Sequence, residues 1–238
     1  MSDSTALDSF LDKWRARWPE WQVAETFVPA PRRRLAVAWF ALLQEFEDAM
    51  NIAGDPLPAD AKLGWWGEEL RDWSRQRSRH PLGRVLEPCP APWEALAGAL
   101  PALAAARAPV DDIGEAFSRL RDYAQAVAAV EASLFDAATA GQAANAIAAQ
   151  TLAARLAEAG PAALAGSGNA GDDGDRGMLQ VGEALLKQWP LPRQAPRERR
   201  IWAALARQRL QRRVGAGQPV AAAAPLRLLL TAWWAARG

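Results

Sequence analysis

Little in this chain can react or cross-link. It has one cysteine, Cys89, one histidine, His80, and one tyrosine, Tyr123. A lone cysteine excludes an internal disulfide and offers no zinc cluster. Lysine occurs only at Lys13, Lys62 and Lys187, so the positive charge is nearly all guanidinium. The charges balance: 28 basic against 27 acidic side chains leave a net charge of +1, and no nucleic-acid partner is expected. No apolar run of about 18 residues is free of charge and proline, so no spanning helix is expected. The opening MSDSTALDSF is acidic and polar, unlike a signal peptide. β-branched residues are scarce and never alternate for long, which leaves no strand signal. There is no fixed-period repeat. These features point to a soluble, cytoplasmic protein. Its alanine- and arginine-rich composition fits a GC-rich bacterial genome.

What is present is helical periodicity. Leu7, Phe10, Leu11, Trp14 and Trp18 share one face by steps of three and four residues, and Pro19 marks the end. Leu35, Trp39, Leu42, Phe46 and Met50 repeat the pattern after Pro31, and Leu63, Trp66, Leu70 and Trp73 repeat it again. The spacing predicts a long helix over residues 110–138, opened by Asp111 and Asp112 at the positive end of its dipole. Another helix is expected from Gly141 to the Gly160-Pro161 pair. A loop follows over residues 167–177, then helices ending near Trp189, over 196–214 and over 225–236. Short proline-marked connections without strands predict an all-α fold, a single helical bundle spanning residues 1–238.

Several segments carry candidate chemistry. Residues 33–51 read RRLAVAWFALLQEFEDAMN, and residues 62–73 read KLGWWGEELRDW, followed by His80-Pro81-Leu82. The closing segment is PLRLLLTAWWAAR. Together they resemble the squalene/phytoene synthase family over residues 31–237. The likeness lies in the paired arginines and acidic cluster of the first segment, the Lys-Leu-x-Trp-Trp and Glu-Leu of the second, and the Pro-Leu, Trp and Arg spacing of the last.

The resemblance implies an isoprenoid-synthase bundle that condenses prenyl diphosphates head to head with Mg²⁺. Magnesium neutralises departing pyrophosphate and needs hard oxygen ligands, which carboxylates on one helix face supply. On that basis Glu47 and Asp48 are the candidate metal ligands, and Arg33, Arg34 and Lys62 the candidate diphosphate contacts. Phe40, Trp66, Tyr123 and Asn145 are the candidate pocket lining. Each has an ordinary alternative. Glu45, Glu47 and Asp48 also read as a solvated acidic patch. The alanines of residues 120–135 read as a tunnel for a prenyl tail or as plain helix formers. His80 reads as a proton carrier or as a packed cap, and the final helix as core or as a membrane-surface helix.

The departures matter as much as the matches. Gln44 and Gly67 stand where the family pattern has arginine, and Phe40 where it has tyrosine. The second acidic motif should fall near residues 145–164, NAIAAQTLAARLAEAGPAAL. Asn145 and Arg155 remain, and Glu158 is the sole carboxylate there. Asp172, Asp173 and Asp175 lie in a glycine-rich stretch and read as a solvated connection. Two functions follow: a prenyl diphosphate transferase with impaired or absent activity, or a non-catalytic module binding a prenyl lipid or a protein. The family's members linked to respiratory complex assembly exemplify the second.

Overall fold

In the computed structural model, residues 2–110, 112–137, 143–164, 174–190, 193–216 and 225–237 are described. Among them every regular element is a helix and none is a strand. The chain runs α1 (Ser2–Arg17), α2 (Trp21–Ala24), α3 (Ala30–Met50), α4 (Pro56–Trp73), α5 (Gly83–Leu86), α6 (Trp93–Ala99) and α7 (Pro101–Ala105). It continues through α8 (Ile113–Arg119), α9 (Arg121–Leu134), α10 (Ala144–Ala159), α11 (Gly174–Gln188), α12 (Arg197–Ala216) and α13 (Pro225–Arg237).

The centre is α3. It begins with Pro31 in its first turn, where a missing N–H breaks no helical bond. From Ala36 onward nearly all its side chains are buried, a pattern expected of a helix packed on every side. Helices α1, α4 and α10 lie against it, with α9 and α12 packed on α10. A cluster of rings joins four helices. Phe40 of α3 lies 5.7 Å from Trp14 of α1, 5.3 Å from Trp21 of α2 and 4.2 Å from Trp202 of α12, centroid to centroid. Removing a buried ring of this size costs about 3–5 kcal/mol, so these contacts fix how α1 and α12 stand around α3.

Two expectations are corrected. The helix predicted over 110–138 is two helices, broken at Leu120, where φ −90° and ψ 0° depart from regular α-helical values. Leu120 is fully buried. The break lets α8 lean on α10 and α11 while α9 packs against α6 and α10. Asp112 caps α8 by accepting from the Glu115 N–H at 3.0 Å, and Asp111 lies outside the described residues. The loop expected to reach Gly177 gives way to α11 by Gly174. Asp172 and Asp173 lie outside the described residues.

Candidate functional site

The 62–87 block folds into a corner built on one carboxylate. Glu69, on α4, is fully buried. It accepts from the Trp73 indole at 2.9 Å, the backbone N–H groups of Arg79 and His80 at 2.7 Å each, and the Arg79 Nε at 3.1 Å. Burial pushes its carboxyl up, and these donors more than reverse that, so it titrates below the ordinary glutamate value. The chain after α4 is thereby folded back. His80 accepts from the Leu82 N–H at 3.2 Å and packs 4.6 Å from Trp66 and 4.5 Å from Phe10. Burial lowers its pKa and favours the neutral ring. At Gly83 a Cβ would lie 2.4 Å from that of Ser78, so only glycine fits that crossing. A Cβ at Gly67 would meet the Ala97 carbonyl of α6 at 3.8 Å, so that position faces a helix.

The other acidic cluster faces an opening. A cavity of about 240 Å³ lies between α1, α3, α10 and α12. Gln44 and Glu47 come from α3, Gln150, Ala153, Ala154, Ala157 and Glu158 from α10, Arg17 from α1, and Arg209 and Arg213 from α12. Glu47 is 5% exposed, and its carboxyl makes no hydrogen bond among the described residues. Burial, only partly offset by the Arg17 charge, raises its pKa to about 8, so it carries its proton at neutral pH. The Tyr123 phenol is pushed well above its usual value, first by burial and then by the Glu47 charge, which places it near that carboxyl.

Behind the cavity is a buried polar chain. Trp39 Nε1 donates to Glu131 at 2.8 Å, and the Arg199 guanidinium grips both Glu131 oxygens. Arg199 also donates to the Gln150 Oε1 at 2.9 Å, which leaves the Gln150 amide nitrogen as the donor for the cavity. Arg199 lies 4.7 Å from the Trp202 ring.

Ion pairs run across the mouth. Lys62 and Lys13 hold Glu45 at 3.1 and 2.8 Å, and with burial opposing them they lower its pKa. Lys13 reaches on to Asp48 at 3.4 Å. Gln44 donates to Asp48 at 3.0 Å. Arg17 then spans the two walls, 3.3 Å from Asp48 on α3 and 2.5 Å from Glu158 on α10. Asn51 and Arg155 meet at 3.2 Å across the same walls. Arg209 stacks 3.7 Å over Trp18 and pairs with Glu20, while Arg213 donates to the Ala157 carbonyl at 3.3 Å.

The expected residues separate on this geometry. Glu47 lines the cavity and Asp48 stands at its mouth beside Arg17. Lys62 joins the ion-pair chain through Glu45. Arg33 and Arg34 do not converge on them. They lie about 20 Å up α3 at 1.5 Å per residue, where Arg33 donates to the Val28 carbonyl and Arg34 pairs with Asp8. Phe40 and Trp66 are packed core and line no part of this cavity. Asn145 is exposed and lines a different depression, with Phe117, Arg121 and Gln188. Arg17, Gln150, Arg209 and Arg213 were not foreseen; Gln150 follows Asn145 by five residues and takes the opposite face of α10.

The donor set does not fit magnesium. Asp48 already has three donors, and Glu158 is taken by Arg17. The opposing wall offers Ala153, Ala154 and Ala157. A divalent ion would have to displace those cations and sit beside guanidinium groups. Among the described residues no three potential metal ligands come together. The arrangement can instead hold an anionic or hydrogen-bonding head between Gln150, Glu47 and the arginine rim, against an alanine wall.

No protein family, curated protein or solved structure matches the chain.

Proposed function

We propose that this is a squalene/phytoene synthase-like protein of isoprenoid metabolism that binds an anionic prenyl lipid and does not ionise it. The observation that carries the reading is Arg17. Its guanidinium occupies the gap between the two helices that the resemblance assigns to metal ligands, touching Asp48 on one and Glu158 on the other. A guanidinium binds a phosphate oxygen but cannot replace several Mg²⁺ ions at a departing pyrophosphate. Each lost contact to the developing charge costs on the order of 10²-fold in rate.

The chemistry left to the chain is retention. Arg17 and Arg213 meet the head group, the Gln150 amide and the Glu47 hydroxyl donate to its oxygens, and the alanine wall accepts the first carbons. At about 240 Å³ the cavity is smaller than the ~300–1,000 Å³ of sites that enclose drug-sized ligands. A long tail therefore leaves through the open side.

The test is incubation of the purified chain with farnesyl or geranylgeranyl diphosphate and Mg²⁺. The expected result is a raised melting temperature without pyrophosphate release, the rise diminishing in Arg213→Gln. Robust turnover that is lost in Glu47→Ala and Asp48→Ala would overturn the reading. Absence of any stabilisation by either diphosphate would favour the protein-binding alternative.

A further inference from the structure

Away from this cavity, α12 and α13 form a groove of about 460 Å³. Arg193, Arg200, Arg207 and Arg227 line it, with Trp189 and Trp234, and no carboxylate lines it among the described residues. Arg200 is committed to the fold, donating to the Ala235 and Ala236 carbonyls at 2.8 Å each. Arg193, Arg207 and Arg227 have no acidic partner among the described residues, and the Arg207 Nε is buried without an acceptor. The groove thus presents guanidinium donors with no acidic partner among the described residues.

Beside it lies an apolar stripe. Leu228 and Ala232 turn inward and pack α13 onto α12 and α2, so the helix is already anchored. The outer side is surplus to that packing. Leu226, Leu230 and Trp234 recur at steps of four and are 69%, 51% and 67% exposed, with Leu229 at 38%. A free phosphate would use the arginines and leave this stripe in water. A nucleic-acid backbone would place leucines against phosphates. The surface of an anionic bilayer uses both, phosphate for the groove and the acyl boundary for the stripe. With 13 residues α13 is about 20 Å long, suited to lying in the interface, and among the described residues no helix is long and apolar enough to cross a membrane.

We propose that the α12–α13 face docks on anionic phospholipid bilayers, with a head-group phosphate held by Arg193, Arg207 and Arg227 while Leu226, Leu230 and Trp234 enter the interface. The inference is independent of the Glu47 cavity.

The experiment is co-sedimentation of the full chain with phosphatidylcholine vesicles, with and without phosphatidylglycerol. Binding is expected to the anionic vesicles at about 0.1 M salt and to weaken sharply near 1 M, where screening falls within about 3 Å. Arg207→Gln with Arg227→Gln is expected to weaken it about fivefold per arginine. Leu230→Ser with Trp234→Ser is expected to abolish it, with the melting temperature of both double variants checking that the bundle is intact. Equal sedimentation with neutral and anionic vesicles would overturn the proposal. So would stabilisation by inorganic phosphate, lost in Arg207→Gln, without vesicle binding, which marks a free-anion site. A concentration-dependent dimer lost in Leu230→Ser, again without vesicle binding, would assign the face to a second copy of the chain.

Discussion

Glu69 and Glu47 stand on adjacent helices, 0% and 5% exposed, and their surroundings are opposite. Glu69 receives four hydrogen bonds, which keep it ionised and fold the chain back after α4. Glu47 receives none and keeps its proton to about pH 8 at the edge of a cavity. Burial alone pushes any carboxyl toward neutrality, and only donors reverse it. Where the chain supplies donors, the carboxylate is a joint of the fold. Where it withholds them beside open space, the carboxyl keeps its proton and lines a cavity.

The largest expected effect lies on the saturated side. Glu69→Ala strands two backbone N–H groups, an indole and a guanidinium, and is expected to cost about 4 kcal/mol in denaturant unfolding at pH 7. A loss below about 1 kcal/mol would mean that the corner survives without its hub.

Glu47 should behave the other way. Its folded pKa of about 8 lies above the ordinary 4.5, so the folded state holds a proton that the unfolded state releases between those values. Stability then falls as pH rises through that window and is flat above it. Glu47→Gln removes the effect, and is expected to gain on the order of 4 kcal/mol at pH 9 and almost nothing at pH 5. Equal unfolding midpoints for the two proteins at pH 9 would erase the contrast. For Glu69 the sign is reversed: its depressed pKa contributes stability above the ordinary value that is lost as pH falls through the folded one.

Glu69→Gln is a finer probe. It keeps one acceptor, and a loss of about 2 kcal/mol is expected, smaller than that of the alanine variant. The smallest change is expected from Arg17→Gln. This side chain is 37% exposed, so after solvent screening its ion pairs contribute within about 1 kcal/mol. Losing its charge nonetheless raises the Glu47 pKa further, so the alkaline limb of the stability profile is expected to move to higher pH.

Much of the scaffold was legible because it is local. Steps of three and four residues located α1, α3 and α4, and Pro31, Pro161 and Gly160 punctuate the chain where helices start and stop. The break at Leu120 was hidden, because Ile113, Phe117, Leu120, Ala124 and Val127 keep helical spacing straight through it. The site was less legible for a different reason. Glu47 was visible as part of an acidic cluster, yet its environment comes from Arg17 and from α10 and α12, more than a hundred residues away in the chain for both helices. No local pattern announces that Arg17 will meet Glu158. Gln150 offered no signal beyond being a polar residue in an alanine-rich helix.

The Arg199 guanidinium ties α12 to Glu131 of α9 and Gln150 of α10, while Trp39 of α3 shares the same carboxylate. Prising α9 from α12 would isolate two charges in oil, and moving α3 or α10 away would strip the pair of a neutral partner. The seam is therefore locked. Amide protons of α9 and α10 around this knot should exchange with solvent only when the whole molecule unravels.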